Sequence, residues 1–374
     1  MKFTQEFTDR EAVQQTANFL HKEVDSSRTY HFMEFCGGHT HVLFRYGLLD
    51  LIPKNIKMIH GPGCPVCVLP MSRIDGILKL LTQHPEVYLF TYADLIRVPG
   101  SSGKNLMKAK AEGSKIKMTY SATEALMFAK QNPDKQVVFL AVGFETTTPP
   151  TAQVILKAKE WDLKNFSVCC YHVLTPPAIF HILGSSERGE EHVSLDGIVG
   201  PGHVSTITGS KIYEEVVREY QQPLVISGFY PLDMLQSLIL LVRQVNENEA
   251  FLENQYARTV TREGNFKAQR MIESVLKIRE SFEWRGLGSI PKSALCIREE
   301  FADYDAEKRF QIEPNLEAKD HPLCICGDIL KGVKSPRDCK IFGKLCTPEN
   351  PIGACMVSSE GACAAYYTYG QTRA

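Results

Sequence analysis

The sequence has no excess of either charge. Lys and Arg total 42 against 43 Asp and Glu, a formal net charge of −1. A chain so balanced carries no electrostatic footprint for nucleic acid or for an anionic membrane surface. Long apolar runs are missing too: the most hydrophobic stretch, Met234 to Val242, is nine residues and contains Gln236 and Ser237. A membrane span needs roughly 20. The opening Met1-Lys2-Phe3-Thr4-Gln5-Glu6 has no apolar centre of export-signal type. A cytoplasmic protein with no membrane or nucleic-acid partner is therefore expected. There is no GxxxxGKS or GxxxxGKT loop, which removes support for a Walker-type nucleotide site. A CxxxCxxC triplet of the radical-SAM kind is also absent.

Hydrophobic residues make up 44% and charged residues 23%, which excludes wholesale disorder, and 374 residues imply two or three domains. The cysteines stand out. There are twelve, and six of them fall between Cys324 and Cys363. A chain this long can bury its own core and a cytosolic chain stays reduced, so crowded thiols point to metal binding or redox chemistry.

Between the termini, short apolar runs alternate with helical patterns. Expected strands are His31–Phe35, Ile56–His60, Val87–Tyr92, Ile116–Thr119, Gln136–Val142, Phe166–His172, Gly197–Val199 and Leu224–Ser227. Helical spacing separates them, as in Ile74-Ile77-Leu78-Leu81. Such alternation implies βαβ units and parallel sheets. Landmarks also recur. Strand-then-Gly-Pro-Gly occurs at Gly61 and Gly200, and 33 residues separate Gly61 from Asp94 and Gly200 from Asp233. Before each, a strand ends in a small, Thr-containing turn, Cys36–Thr40 and Gly143–Thr147. Coincidence is the bland account, since Gly and Pro are common after strands; three landmarks in one order favour duplication. The expected architecture is α/β, with two similar Rossmann-like parallel-sheet domains at 29–115 and 116–262 facing a cleft. Residues 1–28 contribute an N-terminal helix, Glu11–Val24, packed on the C-terminal domain. Residues 263–374 form a third, mainly helical and loop domain that opens with a long helix, Gly264–Trp284.

Three constellations carry chemistry. Cys324, Cys326, Cys339, Cys346, Cys355 and Cys363 lack the paired CxxC knuckles usual for structural zinc. Wider spacing among small residues suits a cubane, with zinc the alternative. The second, Gly61-Pro62-Gly63-Cys64-Pro65-Val66-Cys67, can close a small disulfide or share a metal; with a helix starting near Ser72 and capped by Asp75, the pair is expected in a loop. The third is Cys36-Gly37-Gly38-His39-Thr40-His41, either a strand cap or a soft-metal or nucleophile site. Glu145, Thr146 and Thr147 are cleft groups or a helix N-cap, and the repeat favours the cleft. His203, which takes the place of Cys64 in the second Gly-Pro-Gly, is a further cleft candidate. Cys169 and Cys170 read as buried core thiols.

Taken together, these stretches resemble one family, the hydrogenase maturation factor HypD. The resemblance rests on Cys36–His41, Gly61–Met71, Gly143–Thr147, Gly200–Ser205, Glu283-Trp284-Arg285-Gly286-Leu287-Gly288 and Met356–Ala365. It implies a scaffold on which the Fe(CN)2CO group of [NiFe]-hydrogenase is built together with HypC. HypE would deliver cyanide, and HypF and the hydrogenase large subunit would take part indirectly. It further implies a [4Fe-4S] cluster in the third domain on Cys326, Cys339, Cys346 and Cys363, with Cys324 and Cys355 as extra thiols. Cys36 falls on the thiol for the transient Fe(CN)2CO iron, and Cys64 and Cys67 on a redox-active pair. His39, Glu145, Thr146 and His203 complete the expected site. A stand-alone thiol–disulfide oxidoreductase containing a cluster is the competing reading.

Overall fold

A computed structural model describes residues 5–370; residues 1–4 and 371–374, which the expected end domains include, lie outside the described residues. Two all-parallel sheets form the body. The first takes β1 (Tyr30–Glu34), β2 (Ile56–His60), β7 (Gly197–Pro201), β8 (Leu224–Ser227) and β9 (Leu252–Asn254) in the order β2-β1-β7-β8-β9. The second takes β3 (Tyr88–Tyr92), β4 (Ile116–Thr119), β5 (Val137–Gly143) and β6 (Phe166–His172) in the order β4-β3-β5-β6. Parallel strands covered on both faces read as unbroken apolar runs. Accordingly β5 and β6 are buried along their whole length. Each of the eight expected strands is present, within two residues at either end.

The sheets cut across the expected split at 115/116. The chain makes β1 and β2, crosses to build the whole second sheet, then returns for β7 to β9. Both Gly-Pro-Gly turns consequently end strands of the same sheet, on either side of β1. Their matched spacing reflects what strand ends require of a chain, small residues that let it turn.

The helix Arg10–Glu23 is capped by Asp9, whose side chain accepts the Ala12 N–H at 2.8 Å. Its stripe Val13, Ala17 and Leu20 joins Phe32, Leu235 and Leu238 in one core cluster. It therefore packs on the helix Pro231–Glu247 beside the first sheet, away from the C-terminal segment. The long helix expected over Gly264–Trp284 stops early. Asn265 caps Phe266–Val275, after which come β10 (Leu276–Ile278), β11 (Ser281–Trp284), β12 (Gly288–Pro291) and β13 (Leu295–Ile297), paired antiparallel as β10-β13 and β11-β12. Phe282 and Trp284 face in while Ser281 and Glu283 face out, a period of two that suits a strand. The C-terminal segment has no core of its own: Trp284, Ile329, Leu330 and Cys363 belong to the same cluster as Met33, Val66 and Cys67. No helix among the described residues is long and apolar enough to cross a membrane.

Behind the first sheet, fully buried Asp233 receives Arg258 through Nη1 at 2.8 Å and Nη2 at 2.7 Å, with the Tyr230 N–H at 3.1 Å. Truncating one partner of a buried pair leaves an uncompensated charge. Arg258→Met is therefore expected to cost about 3–5 kcal/mol, read from urea unfolding. A loss within experimental error would show that Tyr230 and Gln255, whose Nε2 donates to Asp233 Oδ1 at 2.9 Å, hold the carboxylate by themselves.

Candidate functional site

Glu34 at the end of β1 lies opposite both His60 of β2 and Val199 of β7, so the turns after these three strands emerge side by side. The turns after β3 and β5 reach the same place from the second sheet. Between them is a cleft of about 220 Å³, lined by Cys36, Gly63 and His203 on one side and Asp94 and Thr146 on the other, with Glu360 of the C-terminal segment. Open α/β sheets bind ligands at this carboxyl edge.

Cys36 is the N-cap of the helix Gly37–Arg45. Its N–H donates to Glu34 Oε2 at 3.0 Å, while Glu34 Oε1 accepts the Thr40 hydroxyl and His60 Nδ1, the latter at 2.9 Å. Burial raises the Glu34 carboxyl, and His60, Thr40 and the Cys36 amide oppose that rise. Burial also pushes the Cys36 thiol far above the ordinary range, with the charges of Glu360 and Glu34 adding to it. The Cys36 and Cys64 motifs interlock. Gly37 N–H donates to the Gly63 carbonyl at 3.1 Å, and a Cβ on Gly63 would fall 2.4 Å from the Cys36 nitrogen. Only glycine fits there.

Cys64 and Cys67 are joined as a disulfide with Cα atoms 5.2 Å apart. They do not sit in an irregular loop. Cys64 caps a one-turn helix, Pro65–Val68, and its Sγ accepts the Cys67 N–H at 3.2 Å. The next helix begins at Met71 behind Pro70, and Asp75 instead accepts the Ser101 N–H at 2.9 Å and Asn315 at 3.0 Å.

The remaining candidates divide. Thr146 and His203 line the cleft, and His203 stacks on Phe229 with centroids 3.7 Å apart. His39 turns away from it: Nε2 donates to the Ser227 carbonyl at 3.1 Å, and the ring stacks on the opposite face of Phe229 at 4.8 Å. Complete burial lowers His39 to about 4 and keeps it neutral. Glu145 is also directed elsewhere. Its carboxylate takes the Thr175 N–H at 2.8 Å and hydroxyl at 3.0 Å at the start of the helix Thr175–Leu183, and burial raises it to about 7. Thus Glu145 ties this turn to the start of a remote helix, while the helix that follows the turn, Thr148–Glu160, has no side-chain cap. Cys169 and Cys170 are buried in β6, as their setting suggested.

All six C-terminal cysteines line one small cavity with Ile329, Ile341 and Phe342. Cys326 and Cys355 are bonded to each other, with Cα atoms 6.4 Å apart, while Cys324, Cys339, Cys346 and Cys363 carry free thiols. Burial drives Cys363 well up, and the neighbouring Cys346, Cys324 and Cys339 add to the rise. Burial likewise lifts Cys324 to about 11. Among the described residues, no three His, Cys, Asp or Glu side chains are arranged around a single ion position. A cubane asks for something else, four thiolates that each meet a different iron.

A family model for HypD, described as the hydrogenase formation hypA family, matches residues 11–370. The chain belongs to the HypD family. It is 55% identical to the hydrogenase expression/formation protein HupD of Azotobacter chroococcum mcd 1, over 100% of this chain and 98% of that one. Identity to the hydrogenase maturation factor HypD of Azotobacter vinelandii is 54%, with 100% and 98% covered. For the HypD of Escherichia coli strain K12 it is 42%, with 99% of each chain covered. As a HypD-family chain it is a hydrogenase maturation factor.

Three side chains of this HypD-family site escaped the sequence reading. Glu34 closes the strand Tyr30-His31-Phe32-Met33-Glu34 at a fully buried position, and His60 precedes the first Gly-Pro-Gly. Glu360, within Met356–Ala365, sits between the cleft and the Cys64–Cys67 pair. A charged residue closing a buried strand was the available signal for Glu34; nothing local marks Glu360.

Proposed function

We propose that the chain is the scaffold on which the Fe(CN)2CO iron of a [NiFe]-hydrogenase is assembled, with Cys36 as its thiolate. The observation that carries this reading is the position of Cys36: it lines the cleft, and the next residue, Gly37, is hydrogen-bonded to Gly63 in the turn that leads into the Cys64–Cys67 pair. Low-spin iron with CN⁻ and CO is soft and suits sulfur. Its binding would displace the proton that burial otherwise keeps on Cys36. HypC would close the cleft and share the iron, and HypE would bring cyanide as an S-bound CN group made with HypF, before the product passes to the hydrogenase large subunit. The protein would work in the cytoplasm.

Cyanide release from an S–CN donor consumes two electrons. The Cys64/Cys67 dithiol gives them and closes its S–S bond; one proton goes to the released donor thiol and the other to cyanide or solvent. The four free thiols around the C-terminal cavity suit a [4Fe-4S] cluster, which Cys324, Cys339, Cys346 and Cys363 would hold. This exchanges Cys326 for Cys324 in the ligand set implied by the resemblance, because Cys326 is bonded to Cys355. When bound, the cluster supplies electrons singly. The chain places Cys326–Cys355 toward the first pair: Ile329 lines both cavities, and the turn Ala354–Met356 packs on Pro65–Val68.

Cys64→Ser and Cys67→Ser test the redox step. Either is expected to stop hydrogenase maturation in cells while the cluster absorption survives, because the cluster thiols line a different cavity. A variant that matures hydrogenase at the normal rate would remove the pair from the mechanism and leave it a packing role.

A further inference from the structure

We infer that His60 is the acid–base group of the Cys64–Cys67 pair, held in one tautomer by Glu34. This rests on the reading that the pair cycles between dithiol and disulfide. His60, Cys64, Cys67 and Glu360 line one cavity of about 10 Å³, room for roughly one water. The imidazole is buried there, and its Nδ1 lies 2.9 Å from Glu34 Oε1. Phe44 and Tyr366 fix the ring plane, with centroids 5.9 and 5.5 Å away. Nδ1 is committed to the carboxylate, so Nε2 is the ring nitrogen left to exchange a proton. A carboxylate that orients an imidazole and stabilises its charged form is the logic of hydrolytic triads. Here the group served is a thiol pair.

The step balances in both directions. When a dithiol reductant opens the disulfide, its thiolate attacks one cysteine sulfur and forms a mixed disulfide. The other cysteine leaves as a thiolate and takes the proton from His60 Nε2. The second reductant thiol then attacks the mixed disulfide, leaves the reductant oxidised, and frees the second cysteine, while its own proton restores His60. In the oxidative direction Nε2 takes a proton from one cysteine thiol, which becomes the attacking thiolate. Buried thiols surrounded by apolar side chains ionise reluctantly, so a base beside them matters. The titratable groups facing His60 are Glu34 from β1, Glu360 and Tyr366 from the C-terminal segment, and the pair itself.

The test follows reduction of the full chain by dithiothreitol, with acid quench, alkylation and mass analysis of the tryptic peptide Met58–Arg73. That peptide contains Cys64 and Cys67 and excludes the other ten cysteines. His60→Asn keeps an N–H toward Glu34 but removes the exchangeable proton at Nε2. It is expected to slow reduction by about 100-fold at the acid end of the range between about pH 5 and pH 8 in which histidine charge changes. Glu34→Gln, which offers an amide where Nδ1 needs an acceptor, should lose part of the same advantage. A His60→Asn rate within about threefold of wild type across that pH range overturns the assignment, even if the variant melts earlier. So does loss of the pH-dependent component in Glu360→Gln with its retention in His60→Asn. A wild-type pair that dithiothreitol cannot reduce would overturn the redox reading itself, a separate outcome.

Discussion

Cys36→Ala is expected to erase every CN and CO infrared band from the chain purified with its maturation partner. The melting temperature and the C-terminal cluster absorption should stay as in the wild type. The effect should be complete because, among the described residues, no other thiol lines the cleft. A cargo iron carrying diatomic ligands has no comparable soft donor there. The cluster should survive because its six candidate thiols surround a different cavity. If the bands persist, the iron is held by another cleft group. His203 is then the candidate, since His39 is stacked on the far face of Phe229 with Nε2 on the Ser227 carbonyl. A wild-type protein with no such bands in the presence of its partner would instead favour the stand-alone thiol–disulfide oxidoreductase.

The second large effect concerns the C-terminal cavity. Anaerobically purified chain should be brown and hold about four irons at this site. Cys339→Ala and Cys346→Ala should each abolish the colour. The informative comparison is between neighbours. Cys324→Ser should also lose the cluster, whereas Cys326→Ser and Cys355→Ser should keep it, because those two sulfurs are bonded to each other. Loss in Cys326→Ser with retention in Cys324→Ser would restore the ligand set inferred from the resemblance. One equivalent of zinc in place of iron would overturn the cubane altogether.

The elements of the body were legible in the sequence because their physics is local. A strand such as Val137–Gly143, buried on both faces, must be apolar throughout. The helical spacing Ile74-Ile77-Leu78-Leu81 likewise marks the helix Met71–Gln83, because its apolar stripe must face the core. The motifs around Cys36, Cys64, Gly143 and Gly200 were legible because turns at strand ends need small residues. Those stretches are also what carried the likeness to the family. Sequence by itself therefore determined the α/β class, the strands, the cysteine motifs and the hydrogenase-maturation role.

Tertiary structure decided the rest. Which strands share a sheet depends on the long crossover from His60 to Gly197, and both Gly-Pro-Gly turns had to be seen on either side of β1. Spacing could not choose among six crowded thiols, since Cys324 and Cys326 differ by two positions, and the pairing of Cys326 with Cys355, 29 residues beyond, is visible only in the folded chain. The Glu145 carboxylate points to Thr175, the His39 ring to Phe229, and Glu34 to His60 in the neighbouring strand. In each case the partner is remote in sequence and the orientation follows from burial. A polar group taken out of water must find whatever donor or acceptor the packed core brings within reach.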